Sequence, residues 1–418
     1  KIVARADFDA MGGCRLPSVV LGVTLTGGEP DAVFGPILPE DYRDLQLVPD
    51  LATAVPVPGR GDRVSVICEP AGTLPRPGRA ALDARALSPR AALRRVLARL
   101  AAAGLRATVA PELEFFLVER AADGGLRPAG VPGAAGAREH ALEIASLERT
   151  AMFAPYFDAL FAACEAQRIP VTGHGHESAP GQYEVNFAPG EPLAMADAVW
   201  RFKRLARETA VRHGFLATFL AKPFPDQPGT GMHWHASLQH AATGRNALVD
   251  EAGRDHPRLR HLIGGLQRHA AASLALLAPW DHAFERLRRS DASPGAAGWG
   301  DDDRGVAFRL PPASPANRRV ENRLPGGDTS PYLALAAMLG TGLHGLEAQT
   351  GPLDAALPLP ATLAQALDAL DASAVLRGLL GEPLVDLYLA IKRHERAERA
   401  ACADPARDWD RVHLVEQA

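Results

Sequence analysis

Four separated segments of this chain alternate polar and apolar residues with period two, and that alternation constrains the fold more than any other feature. In "PELEFF", Glu112 and Glu114 share one face while Leu113 and Phe115 take the other. In "MHWHASL", His233, His235 and Ser237 alternate with Trp234, Ala236 and Leu238. "HGHESAPGQYEVNF" carries Glu177 just before a Pro-Gly turn and Glu184 just after it, and "RRVENRL" alternates Arg319, Glu321 and Arg323. Period two is the signature of a strand with two unlike faces. An antiparallel sheet normally turns its charged face to water. Here the neighbours are bulky and apolar (Phe115, Phe116, Tyr183, Phe187, Trp234), which marks the strands as central. Carboxylates inside a protein must be paired or bound to metal, because an unpaired buried charge is strongly unfavourable. Five glutamates with one or two histidines suit a hard divalent cation, Mg²⁺ or Mn²⁺, with imidazole tilting toward Mn²⁺. Zinc is disfavoured by the excess of carboxylates and the lack of nearby cysteine.

The 418 residues allow two or three domains at roughly 150 residues each. A net charge of −4 argues against a nucleic-acid partner, which calls for a basic face. Cys14, Cys68, Cys164 and Cys402 lie far apart with no CxxC pair, as expected of free thiols in a reducing cytosol. No stretch reaches the roughly 18 apolar residues of a membrane span, and "YLALAAMLGTGLHGL" reads as a buried helix. The start, "KIVARADFDAM", lacks the apolar region of a secretory signal. A cytoplasmic protein is expected, and one lacking its natural N-terminus, since Lys1 is not a methionine. Residues 1 to about 68 read as a small strand-rich unit, followed by a Pro/Gly/Arg-rich linker, "EPAGTLPRPGRAALDARALSPR". Ser88 is a helix cap, Pro89 starts that helix, and Gly104 ends it. The basic cluster "RHLIGGLQRHA" reads as an exposed helix face, and the tail from about 361 as helical.

The blocks "PELEFF", "GHGHESAPGQYEVN", "KPFPDQPGTGMHWHASL", "WGDDDRGVAFRLP" and "RRVENRLPGGDTSPYL" occur in the order of the glutamine synthetase family, which the chain resembles over nearly its whole length. The resemblance implies an α+β protein. An N-terminal β-grasp domain (1–75) would precede a catalytic domain (76–418) built on a curved antiparallel sheet with surrounding helices. It also implies a ring-shaped homo-oligomer, a dodecamer of two hexameric rings, in which a neighbour's N-terminal domain completes each active site. Carried over by residue, one metal site would be Glu114, Glu177 and Glu184. The second, facing the nucleotide phosphates, would be Glu112, His233 and Glu321, giving two Mg²⁺ or Mn²⁺ per active site with ATP as co-substrate. His235 would lie by the transferring phosphate, and Ser237 near the nucleotide. Arg304, Arg309 and Arg319 match phosphate-binding arginines. Arg323 matches the arginine on the substrate α-carboxylate, Arg286 a further substrate and catalytic arginine, and Gly229 the glutamate-loop glycine. The implied chemistry is two-step, through γ-glutamyl phosphate.

The departures concern the amine. Ala292 stands where the family's flap glutamate falls, and Ser290 where its glycine falls. The ammonium-binding aspartate block is not recognisable between Leu21 and Pro49, and Pro228 replaces the asparagine before the loop glycine. "HAF" precedes Arg286 where "NSY" is usual, and Asp303 stands for an asparagine. This pattern resembles the γ-glutamylpolyamine and γ-glutamyl-monoamine synthetase branch, ligases of glutamate with a small amine. The alternatives are a true glutamine synthetase using ammonia and a binding-only sensor or scaffold. The acidic run Asp301 to Asp303 could attract a cationic amine or be a solvated turn.

Overall fold

The computed structural model describes residues 1–76, 78–134, 136–288 and 293–417. Its centre is a nine-stranded sheet. Along the main path the order is Trp299–Asp301, Phe308–Leu310, Val320–Asn322, Met232–His240, Leu105–Arg120, Gln182–Phe187 and Val171–His176. Leu216–Thr218 and Leu126–Pro128 pair with the far end of Leu105–Arg120. The expected antiparallel sheet needs one correction, because Trp299–Asp301 runs parallel to Phe308–Leu310. A return through Asp302–Ala307 delivers the strand in the same direction, and no local alternation signals that.

The apolar face of the sheet is the core. Phe115, Tyr183 and Trp234 are fully buried. Phe115 lies 5.3 Å from Phe219, and Phe157 4.9 Å from Tyr183, ring to ring. Aromatic faces at such spacing carry much of the burial energy. Helices Ala154–Ala166 and Pro192–Arg212 contribute Phe157 and Phe202 to this layer. As expected, Ser88 caps helix Pro89–Ala102 by accepting from the Ala91 N–H, and Pro331–Glu347 is a buried helix. Among the described residues no helix is long and apolar enough to cross a membrane.

The N-terminal unit is a three-stranded antiparallel sheet of Cys14–Pro17, Asp44–Val57 and Arg60–Ala71. It is fastened to the larger sheet's helices by buried Arg90, which donates to Asp197 at 2.9 and 2.8 Å, Glu69 at 2.6 Å and Asp50 at 2.8 Å. The segment expected as a linker is packed instead. Leu74, Leu82, Ala84 and Leu87 are all buried in a small core with Val33 and Leu38, so its Pro and Gly residues shape turns within structure. The "RHLIGGLQRHA" stretch is likewise more buried than expected. Arg260 and Arg268 face water, but residues 262–267 lie in the core of helix Pro257–Leu277.

That helix crosses Pro331–Glu347 at glycines. A Cβ on Gly265 would stand 2.2 Å from the Thr341 carbonyl oxygen, and one on Gly345 2.2 Å from that of His261. Both obstacles are backbone and cannot swing away. Gly265→Ala therefore pushes the two helices apart, and overpacking of this kind destabilises by about 1–3 kcal/mol. A lower urea midpoint with an unchanged slope is the expected result.

Candidate active site

The polar face of the sheet is assembled from cross-strand neighbours. Glu112 is directly opposite His233, Glu114 opposite Glu184, and Glu321 opposite both His235 and Arg309. Directly opposed side chains lie close enough to interact, and like charges so placed repel. With both carboxylates ionised, the Glu114–Glu184 pair is therefore unfavourable unless a cation joins it, and without one it tends to hold a proton.

The histidines occupy the middle. Arg319 donates to His235 Nδ1 at 3.2 Å, and His235 Nε2 meets Glu112 Oε1 at 2.9 Å. Because an arginine can only donate, the proton of this imidazole is on Nε2. His233 is buried, and its Nδ1 has no hydrogen-bond partner. It faces Glu112 Oε2 at 3.6 Å and Glu321 Oε1 at 3.9 Å, too far to bond either. An orphaned imidazole nitrogen between carboxylate oxygens fits a cation. Two groups bring one ligand atom each to within 4.8 Å of one another: Glu112, Glu184 and His233, and Glu112, His235 and Glu321. The resemblance groups these residues otherwise, with Glu184 beside Glu114 and Glu177, and with His235 outside the ligand set. Oxygen-rich sets with one imidazole suit Mg²⁺ or Mn²⁺.

The acidities divide the site. Burial pushes Glu184 up to about 8, and the charges of Glu114 and Glu112 add to it. Burial also raises Glu114, with His233 opposing and Glu177 adding, and it raises Glu177. On the other side burial is outweighed. The nearby His233 imidazole and the hydrogen bond from His235 hold Glu112 below the ordinary carboxylate range, and His233 and Arg323 hold Glu321 below it. On one flank burial prevails over the nearby positive charge, and on the other the positive charge prevails over burial.

Arginines surround Glu321, which is fully buried. Arg309 Nη1 donates to Oε2 at 2.8 Å, and Arg323 Nη1 to Oε1 at 2.5 Å. Only Val320–Asn322 is strand, so Arg319 and Arg323 flank it rather than extend it. Arg309 also donates to Asp302, Arg318 approaches Asp301 at 3.4 Å, and Asp303 accepts from the Gly305 N–H at 2.8 Å. The acidic run is thus internally paired. Arg304 is exposed, and its carbonyl accepts from Arg323 Nε at 3.0 Å. Arg286 is buried and donates to the Leu324 and Arg323 carbonyls at 3.0 and 3.1 Å. It braces the backbone that carries Arg323. Gly229 packs on it so closely that a Cβ would meet Ala221 O at 2.2 Å and Arg286 Cγ at 2.9 Å. Ser237 Oγ donates to Arg318 O at 2.9 Å. Ser290 and Ala292, which bear on the flap, lie outside the described residues.

Some participants escaped the sequence reading. Gln182 Nε2 donates to Glu114 Oε2 at 3.1 Å and to Gly229 O at 3.0 Å, tying carboxylate to loop. Asn186 Nδ2 donates to Glu184 Oε1 at 2.9 Å. Both share Glu184's face by the same period of two, so the signal was present. A cavity of about 580 Å³ lies elsewhere, between Glu29–Ile37 and helix Glu382–Ala400. Of its arginines, Arg377 and Arg393 are held in acid pairs, such as Arg377–Asp386 at 2.8 Å and Arg393–Asp371 at 2.9 Å, Arg79 donates to the Pro36 carbonyl at 3.3 Å, and the metal-ligating groups belong to the sheet instead.

A nine-stranded sheet presenting acids, imidazoles and arginines on one face defines a class, and comparison with known proteins identifies it. The family model of the glutamine synthetase catalytic domain matches residues 86–410. The chain belongs to the glutamine synthetase family, and it is an ATP-dependent ligase. It is 35% identical over 321 residues to the gamma-glutamylputrescine synthetase PuuA of Escherichia coli (strain K12), covering 74% of this chain and 68% of that protein. It is 30% identical over 398 residues to a glutamine synthetase of Halobacterium salinarum, covering 90% and 83%. A solved structure of apo GmaS without ligand superposes with a TM-score of 0.78 at 28% identity, covering 98% of this chain and 90% of that one.

Proposed function

We propose that the chain joins glutamate to a small amine, a polyamine or monoamine, through γ-glutamyl phosphate. The carrying observation is the opposed Glu114–Glu184 pair beside the orphaned His233 nitrogen, an arrangement that calls for cations where phosphoryl charge must be stabilised. Glu112, Glu114, Glu177, Glu184, His233 and Glu321 would hold two Mg²⁺ or Mn²⁺, with His235 available to the same set. When bound, such ions neutralise phosphoryl oxygens and polarise the acceptor.

The chain's own residues do the rest. Phosphoryl transfer relies on positioning and electrostatics. Arg304, Arg309 and Arg319 meet the ATP phosphates, Ser237 lies by the nucleotide, and Gly229 and Arg323 hold glutamate with Arg286 bracing both from beneath. A γ-carboxylate oxygen attacks the γ-phosphorus, and the bond to ADP breaks with its electron pair. The amine nitrogen then attacks the γ-carbon, phosphate leaves, and the ammonium proton passes to solvent. His235, neutral and anchored between Glu112 and Arg319, keeps the Glu112 carboxylate oriented.

The amine reading is supported by the likeness to PuuA and by Ala292, Ser290 and Pro228 at positions tied to ammonia use. Residues 1–75 form the β-grasp domain and 76–418 the catalytic domain, in a cytoplasmic ring-shaped dodecamer. The test is metal-dependent ADP release with glutamate and ammonia, ethanolamine, putrescine or spermidine. We expect a carbon-bearing amine to exceed ammonia. ADP with ammonia alone would make the chain a glutamine synthetase, and no ADP with any amine would leave the binding-only sensor.

A further inference from the structure

Glu139 comes from irregular chain between Leu126–Pro128 and helix Leu147–Met152, far from any block that carried the family resemblance. It is 2% exposed. A buried carboxylate persists only with strong partners, and Glu139 has three. Oε2 accepts from His176 Nε2 at 2.7 Å and from the Gly181 N–H at 2.5 Å, and Oε1 accepts from the Tyr183 hydroxyl at 2.9 Å. His176 Nδ1 in turn meets the Glu143 carbonyl at 2.6 Å. Both partners of this imidazole are acceptors, so both its nitrogens donate and it is an imidazolium against a carboxylate.

The position of the donors gives the cluster its meaning. His176 immediately precedes Glu177, Tyr183 immediately precedes Glu184, and Gly181 lies in the turn between them. Alternation sends Tyr183 to the face opposite Glu184. One carboxylate therefore grips, from behind the sheet, both ends and the middle of the turn that sets the distance between two acids on the front. Gly181 has φ +74, and a Cβ there would stand 2.8 Å from Leu117 O, so the turn has little freedom to adjust otherwise.

We infer that Glu139 is a positioning residue for the cation site: with His176, Gly181 and Tyr183 it fixes the spacing of Glu177 and Glu184. This rests on the two-cation reading of the preceding section. Outer-shell partners that orient ligands typically change metal affinity by about 10–100-fold when removed.

The experiment is Mn²⁺ titration of the full chain by calorimetry without nucleotide, with hydrogen exchange of residues 177–184 in parallel. Glu139→Ala should weaken Mn²⁺ by about 10–100-fold and speed exchange in that turn. Glu139→Gln should stay within a few-fold of the parent. Its amide oxygen, in the place of Oε2, still accepts from His176 Nε2 and the Gly181 N–H, and its NH₂, in the place of Oε1, can donate to the Tyr183 hydroxyl oxygen, whose own proton can go to the Arg149 carbonyl. If Glu139→Ala does not fold, His176→Ala severs the same grip from the turn side and carries the same expectation. A folded variant with parental Mn²⁺ affinity overturns the inference. A parent chain that binds no Mn²⁺ would count against the two-cation reading itself.

Discussion

Replacing Glu321 by alanine stops ADP production, with a loss at least on the order of 10³-fold. The Glu321 side chain is engaged by two neighbouring strands at once. It is fully buried, opposite His235 and Arg309 in the sheet, and it accepts from Arg309 and Arg323. Alanine removes an anionic ligand from the cation site and also the counter-charge that holds two arginines in place. Freed, Arg309 keeps Asp302 and turns away from the phosphates. Loss of one partner from a buried charge cluster also destabilises by about 3–5 kcal/mol, so reduced folding must be separated from lost chemistry. Glu321→Gln does this. It keeps volume and one acceptor oxygen while removing the charge, and it should fold yet lose about 10²–10³-fold in rate. ADP release, read beside circular dichroism, decides. Near-normal turnover by a folded Glu321→Gln would show that the cations sit elsewhere.

The sheet face was legible because period two follows from strand sterics, and burial of Phe115, Tyr183 and Trp234 permits only one orientation. Glu112, Glu114, Glu184, His233, His235 and Glu321 therefore share a face from local pattern alone. Register was not legible. Which acid faces which imidazole depends on long-range pairing between strands more than 50 residues apart, and no local rule supplies it. The grouping of Glu184 with Glu114 and Glu177 was carried over from the family resemblance, and the pairing also brings Glu184 to Glu112 and His233. Arg286 illustrates a second limit. The resemblance marked it as a substrate and catalytic arginine, and its hydrogen bonds to two backbone carbonyls, set by packing under Gly229, had no local signal in the sequence. Glu139 was invisible because a single glutamate in irregular chain has no periodicity to read. The supposed linker failed for a related reason, since its four buried apolar residues are spaced among prolines without any helical or strand period. The N-terminal sheet and helix Pro89–Ala102 carried local signals, in strand-like runs and in the Ser-Pro start, and both are present.

Mn²⁺ affinity should rise with pH, by about tenfold between pH 6 and pH 7 for each proton displaced. Glu184 sits at about 8 instead of 4.5, and Glu114 and Glu177 are raised with it, chiefly by burial. Near neutral pH the cation-free site therefore holds at least one proton, which a cation must expel. Calorimetry in buffers of different ionisation enthalpy should register its release. The same shift sets the sign of the stability. Between 4.5 and about 8 the folded chain binds more protons at Glu184 than the unfolded chain does, so raising the pH removes stability from the cation-free protein. Glu112 and Glu321, held low, work in the opposite sense only below the ordinary carboxylate value and do not cancel this loss. Adding Mn²⁺ replaces the proton as counter-charge and reverses the trend, so the gain in melting temperature on adding metal should grow from pH 6 to pH 8. A gain independent of pH, with no proton released, would mean that Glu184 and its neighbours are already ionised and that the metal binds away from them.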